Sequence, residues 1–354
     1  MPFELSKQEK GKETEKLTRK RIPIIKVMGV GGAGNNAVNR MAKTGLKNVV
    51  LIAVNTDVQV LEETDADLKI QIGERRTRGL GAGGNPKVGE EAALESLDKI
   101  EQVLKDTDML FLTAGFGGGT GTGATPVIAD VARKMGVLTV AVVTTPFYFE
   151  GKERWQRAIE GLRKLKPSVD TLIKVSNNKL LEELPADVTA VEAFATADET
   201  LHQGVKGISE LITKRGYINL DFADIESVMR NAGVAMLGIG IGKGTNRAAE
   251  AAKRAMTSRL MEQPVENAKA IILNVSAPKT VQLRELHLAA SIVRQSCSED
   301  ADVKFGLIID DELKEDEMKV TVIATGFDQE ERILFPEMDI PAIYRLGLGD
   351  MTNA

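Results

Sequence analysis

The chain has 354 residues, 43% of them hydrophobic, enough for about two domains with real cores, which excludes a wholly disordered protein. Lys plus Arg number 46 against 51 Asp plus Glu, and the resulting net charge of −5 excludes a general nucleic-acid binder, whose surface must neutralise phosphates. A single cysteine, Cys297, excludes an intrachain disulfide framework, and two histidines, His202 and His287, leave little material for a histidine-ligated metal.

Residues 1–21 hold seven basic and four acidic side chains and almost nothing to bury, so a flexible charged tail is expected over 1–22. It lacks an apolar signal core, and no apolar run in the chain reaches the ~18 residues of a membrane span; a cytoplasmic protein is expected. From Ile24 the runs IIKVMGV, NVVLIAVN, DMLFLTAG, VLTVAVVTT and DTLIKVS read as strands buried on both faces. Helical stretches at Asn35–Thr44, Lys87–Leu104, Thr125–Lys134 and Lys152–Leu165 separate them. The alternation predicts a Rossmann-like α/β domain over 23–190, a parallel sheet with helices on both faces.

Val191, Phe194, Leu201, Val205, Ile208, Leu211 and Ile212 keep helical spacing and predict a long connecting helix over 191–216. A smaller α/β domain is expected over 217–326, with strands VAMLGIGIG, AIILNVSA, VKFGLII and KVTVIATG. Its helices are placed near Asp224–Asn231, Asn246–Leu260 and Val281–Cys297. FDQEERILFPEM (327–338) reads as a short linker and poor core element, before an apolar peptide, DIPAIYRLGL, within 339–354.

Two glycine loops carry the chemistry. GVGGAGNN, Gly29–Asn36, lies between a strand and a helix and matches G-x-G-x-x-G at Gly29, Gly31 and Gly34. A helix N-terminus there offers free N–H donors and a positive dipole end to an anion; a ligand-free tight turn is the plainer alternative. Asp57, 23 residues past Gly34, sits where an NAD(P)-dependent oxidoreductase keeps its ribose-binding acid, so that reading stays open. GGGTGTG, Gly117–Gly123, puts five glycines in seven positions at a second strand–helix junction, an entropic cost that a structural turn does not need. A third loop, RGLGAGGNP, precedes another helix. Three such loops at one sheet edge suit a triphosphate better than a diphosphate. The loops Gly29–Asn36 and Gly117–Gly123 contain no Lys or Arg, so Mg²⁺ is expected to share the charge, held through phosphates and water with no protein ligand assigned. GIGIGKGT, Gly238–Thr245, has the wrong spacing for a Walker loop and reads as a strand end.

GGGTGTG together with GGAGNN, AVNTD, TRGLGAGGNP, TTPFYFEGKER, NNKLL and NLDFAD, in this order, resembles the tubulin/FtsZ family of cell-division GTPases over about Ile24–Gly326. The resemblance implies that Gly31, Gly32, Ala33, Gly34 and Asn35 hold the α- and β-phosphates of GTP. Gly117, Gly118, Gly119, Thr120, Gly121 and Thr122 would wrap them from the other side, with Ala82 and Gly83 facing the γ-phosphate. Glu150 and Arg154 would lie at the ribose, although their spacing alone reads as a helical ion pair. Asn177 would contact sugar or base, Phe194 would stack on guanine, and Asp198 would accept from its N1–H and 2-amino group.

Asp221 and Asp224 alone read as helix-start acids. In the family, the matching segment would complete the nucleotide site of the next subunit in a head-to-tail homopolymer, Asn219, Asp221 and Asp224 positioning the attacking water. DIPAIYR (339–345) resembles the peptide that docks on an FtsA-like membrane tether, which implies recruitment to the division site at the inner face of the membrane. A non-hydrolysing nucleotide-binding scaffold remains the alternative outside enzymes.

Overall fold

A computed structural model describes residues 23–327 and Leu334, apart from residues 47, 183, 186, 215, 259, 262–264, 266–267 and 299. The expected tail, most of the linker and the C-terminal peptide lie outside the described residues.

Among the described residues the strands form two sheets. The first runs in spatial order β3-β2-β1-β4-β5-β6-β7, parallel throughout. Its strands are β1 (Ile25–Val30), β2 (Val50–Asn55), β3 (Leu68–Gln71), β4 (Met109–Gly115), β5 (Leu138–Thr145), β6 (Thr171–Ser176) and β7 (Gly233–Val234). Strand residues alternate between faces: Met28 and Val30 enter one apolar core, Ile25 and Val27 the other. The Met28 face is covered by α4 (Pro86–Glu95), α5 (Leu97–Leu104), α6 (Thr120–Lys134) and α7 (Lys152–Leu165). The Val27 face is covered by α1 (Gly31–Lys43), α9 (Ala190–Thr213) and α10 (Phe222–Met229). Short helices α2 (Val58–Glu63), α3 (Glu74–Thr77) and α8 (Asn177–Glu182) fill connections.

The second sheet runs β10-β9-β11-β8, with β8 (Met236–Lys243), β9 (Ala270–Ala277), β10 (Asp302–Ile309) and β11 (Glu317–Thr325). Only β9 and β10 pair in parallel; β11 runs antiparallel to β9 and β8. Helices α11 (Arg247–Met256) and α12 (Leu283–Gln295) pack on it. The fold is thus a Rossmann-like sheet with a smaller second domain.

Helix α9, started by a capping box between Thr189 and Glu192, joins the two sheets. A Cβ on Gly204 would lie 2.9 Å from Val142 of β5, and one on Gly207 2.8 Å from Ile239 of β8, so small residues let one helix press against both sheets.

Three expectations need correction. The run VAMLGIGIG is not one strand: Gly233–Val234 joins the first sheet and Met236–Lys243 the second, so the break at Ala235 is where the chain changes sheets. Lys87–Leu104 is two helices, broken at Ser96, whose hydroxyl accepts from Gly73 N–H. The stretch after Gly326 also contributes to the core. Phe327 and Leu334 are buried, and the Leu334 carbonyl accepts from the ammonium of buried Lys174 in β6 at 2.8 Å.

Candidate functional site

Strand order reverses between β1 and β4, and ligands of open α/β sheets bind outside the carboxyl ends of the strands at such a point. Each of these two strands ends in a glycine loop. Helix α1 starts at Gly31, directly after β1, and α6 starts at Thr120, after the turn Gly117–Gly119 that follows β4. Neither start carries a side-chain cap, so both present first-turn N–H groups and a positive dipole end to the same space.

The loops touch one another. Gly31 has φ +73°, and a Cβ there would lie 2.8 Å from Gly121 N; a Cβ on Gly119 would lie 2.7 Å from Ala82 Cβ and 2.9 Å from Asn85 N. The third loop therefore closes against the second, with Ala82 buried and Gly83 exposed. Gly32, Gly83 and Gly118 instead face open space, where a Cβ would meet nothing within 4 Å. Hydroxyls brace it from behind: Thr120 Oγ1 pairs with Thr56 Oγ1 at 2.7 Å, and Thr122 Oγ1 accepts from Gly117 N–H at 2.8 Å. The Asn35 side chain points inward, donating to the Gly29 carbonyl and accepting from Asn55, so only its backbone is available to a ligand.

Glu150 and Arg154 form an ion pair at 3.1 Å; Glu150 also accepts from Phe147 N–H, and a Cβ on Gly117 would meet Arg154 Cγ at 2.8 Å. The pair thus borders the second loop. Asn177 follows β6 at the same sheet edge, buried, with no described partner for its Oδ1, an acceptor that suits a hydroxyl donor. Phe194 on α9 packs edge-on to Phe147 and Phe149 with ring centroids 5.3 and 6.3 Å away.

One turn further along α9, Asp198 accepts from Asn36 Nδ2 at 3.1 Å, tying α9 to α1, the helix that follows the first glycine loop. Burial raises the Asp198 carboxyl to about 6 against the pull of Asn36 and Arg40. Two more contacts lace the same helices: Arg40 to Glu199 at 3.7 Å, and Thr44 Oγ1 to Nε2 of buried His202 at 3.1 Å. Asn36 and Thr56 were not among the sequence candidates, although Asn36 ends the first glycine motif and Thr56 lies in AVNTD.

Asp57 caps α2, accepting from Gln59 and Val60 N–H. Among the described residues no cluster of His, Cys, Asp or Glu could hold a metal ion, and no helix is long and apolar enough to cross a membrane.

Asn219, Asp221 and Asp224 lie elsewhere. Asp221 and Asp224 form a reciprocal capping box at the start of α10, and Asn219 Oδ1 accepts from Gly216 N–H. The far end of α10 abuts the amino edge of β6, where Asn231 N–H donates to Asp170, while Asn177 follows the carboxyl edge of the same strand.

A family model described as Tubulin/FtsZ family, GTPase domain, matches residues 24–185, and one described as FtsZ family, C-terminal domain, matches residues 233–328. An empty FtsZ dimer from M. jannaschii is 45% identical, with TM-score 0.82, over 87% of this chain and 89% of that one. A point mutant of M. jannaschii FtsZ is 46% identical, with TM-score 0.81, over 86% and 91%. The fold also matches CetZ2 from Haloferax volcanii, a GTPγS-bound protofilament, at 18% identity and TM-score 0.75, over 89% and 98%.

Proposed function

The chain belongs to the tubulin/FtsZ family of GTPases, cytoskeletal proteins that bind GTP and GDP, and from that premise we propose that it polymerises head-to-tail and hydrolyses GTP at the junction between subunits. The observation that carries this reading is separation. From Asp198 to Thr213, α9 rises about 22 Å at ~1.5 Å per residue, and the acid loop begins beyond that end. A subunit's own Asp221 and Asp224 cannot meet a γ-phosphate held at its own glycine loops; those of a second copy, stacked on the carboxyl edge of the sheet, can. Such a contact is heterologous and propagates as a filament. The M. jannaschii FtsZ structure, itself a dimer, is consistent with self-association.

In this mechanism the first-turn N–H groups at Gly31–Gly34 and Thr120–Thr122 cradle the phosphates, while Phe194 and Asp198 select guanine. Glu150, Arg154 and Asn177 hold the sugar end, and Ala82 and Gly83 border the γ-phosphate. The substrate enters as its magnesium complex, because the two main loops carry no cationic side chain to offset its charge. One oxygen of each acid is engaged in the capping box, leaving the other to accept a proton from, and orient, the attacking water. Two carboxylates at ~5 Å from phosphate charge repel by about 3 kcal/mol per pair at an effective dielectric of 20, so the complete site exists only where magnesium and assembly contacts offset it.

The protein is placed in the cytoplasm, in a ring at the division site, with residues 339–345 docking on an FtsA-like tether. The test is GTP turnover against protein concentration. Specific activity is expected to collapse below an assembly threshold, and Asp224→Ala to keep GTP affinity while losing at least tenfold in turnover. Turnover strictly proportional to concentration down to nanomolar protein would refute the shared site.

A further inference from the structure

The last turn of α9 ends in a compact group of alternating charges. Lys319 on β11 meets Glu210 Oε2 at 2.5 Å, Lys214 meets Glu210 Oε1 at 3.2 Å, and the same Lys214 ammonium meets Asp310 Oδ2 at 2.8 Å. Glu210 and Asp310 are 7% and 8% exposed. The group has two positive and two negative members, drawn from α9, from β11 and from the turn after β10. Burial alone would push both carboxyls up; Lys319 and Lys214 outweigh it at Glu210, and mainly Lys214 does so at Asp310, leaving both below their ordinary values.

The placement matters because the acid loop hangs between two members of this group. Just past Lys214, the Leu307 carbonyl of β10 accepts from Tyr217 and Ile218 N–H at 2.7 and 3.2 Å, and Leu307 N–H donates back to Ile218 at 3.0 Å. Leu220 packs on Gly306, where a Cβ would lie 2.8 Å from its Cδ1. Three residues after Leu307, Asp310 returns to Lys214, so loop, strand and ion pair form a closed circuit. Leu220 and the start of α10 enter the core on the loop's inner side, while its outer side is open: Tyr217 is 83% exposed and Asn219 and Asp221 are exposed.

We propose that Lys214, bridging Glu210 and Asp310, is a positioning residue that sets the pose in which Asn219, Asp221 and Asp224 are offered to the neighbouring subunit's nucleotide. The proposal rests on the shared-site reading above. Replacing Lys214 with Met keeps the apolar stem and leaves Glu210 paired with Lys319, so α9 stays attached to the second sheet while the loop loses its ionic tie. A small displacement of groups that orient a nucleophile carries a large rate penalty.

The experiment measures kcat per polymerised subunit, GTP affinity and melting temperature for the full-length chain carrying Lys214→Met, Lys214→Arg or Asp310→Asn. Lys214→Met and Asp310→Asn are expected to lose about tenfold in kcat with KM and GTP affinity unchanged, and Lys214→Arg to recover most of it. Each is then mixed with a Gly31→Ala subunit, which offers an intact acid loop, at a GTP concentration too low to fill that subunit's own weakened site. Turnover should return, as it should for Asp224→Ala in the same mixture. Wild-type kcat in both Lys214→Met and Asp310→Asn, or loss of GTP affinity alongside kcat, overturns the proposal. Rescue of Asp224→Ala without rescue of Lys214→Met overturns it while sparing the shared site, whereas rescue of neither overturns both.

Discussion

Acidification is expected to weaken GTP binding through Asp198. The guanine N1–H and 2-amino group require an acceptor with both oxygens free of protons, and burial brings this carboxyl to about 6. Its ionised fraction is then about 97% at pH 7.5, about half at pH 6 and about 9% at pH 5, so the Asp198 contribution to affinity falls about tenfold, or ~1.4 kcal/mol, across that range. Stability of the nucleotide-free protein moves the other way. An acid whose folded pKa lies above its unfolded value of 3.8 costs stability above about pH 6, at most ~3 kcal/mol, and that cost is relieved as pH falls through the folded pKa. The assay is calorimetric titration with a non-hydrolysable GTP analogue at pH 7.5, 6 and 5, on the wild type and on Asp198→Asn. The phosphates titrate in the same region and affect both proteins alike, so the ratio of the two affinities isolates Asp198. That ratio is expected to drop about tenfold from pH 7.5 to 5. A ratio that does not change with pH would refute the assignment of Asp198 to the base.

Gly31→Ala places a methyl 2.8 Å from Gly121 N at a left-handed backbone position, so the two phosphate loops must separate; GTP affinity should fall more than tenfold, by titration, while far-ultraviolet circular dichroism stays unchanged. Deleting residues 339–354 should abolish pull-down of the membrane tether and leave GTP turnover per polymerised subunit as it was; retained pull-down would reject the docking peptide.

The glycine loops were legible in sequence because their demands are local. A backbone that must come within van der Waals contact of another backbone, as Gly31 does with Gly121, admits only glycine, and that shows as composition. The strong central strands were legible for a similar reason, since burial on both faces leaves unbroken β-branched runs. The edge strands were not: Leu68–Gln71 is short and exposes two of its four residues, and Gly233–Val234 is a two-residue segment continuous in sequence with a strand of the other sheet. The break at Ser96 depends on a partner 23 residues upstream. Contacts such as Asn36 to Asp198 and Lys214 to Asp310 span 162 and 96 residues, and neither member of either pair betrays the other. Asp221 and Asp224 stand between these cases. Their spacing specifies a capping box, which the structure contains; the second use came from the resemblance of NLDFAD to the family, not from the spacing.

The burial of Leu334 adds a second point at which a pull on the chain's end reaches the core. Its carbonyl accepts from Lys174 in the middle of β6, so a pull on the residues that follow meets that strand through this hydrogen bond as well as β11 through the backbone. The same strand runs on to Asn177, at the carboxyl edge of the sheet, where the nucleotide is proposed to bind. Tension applied beyond Leu334 and a ligand at Asn177 would therefore act on the same strand, three residues apart.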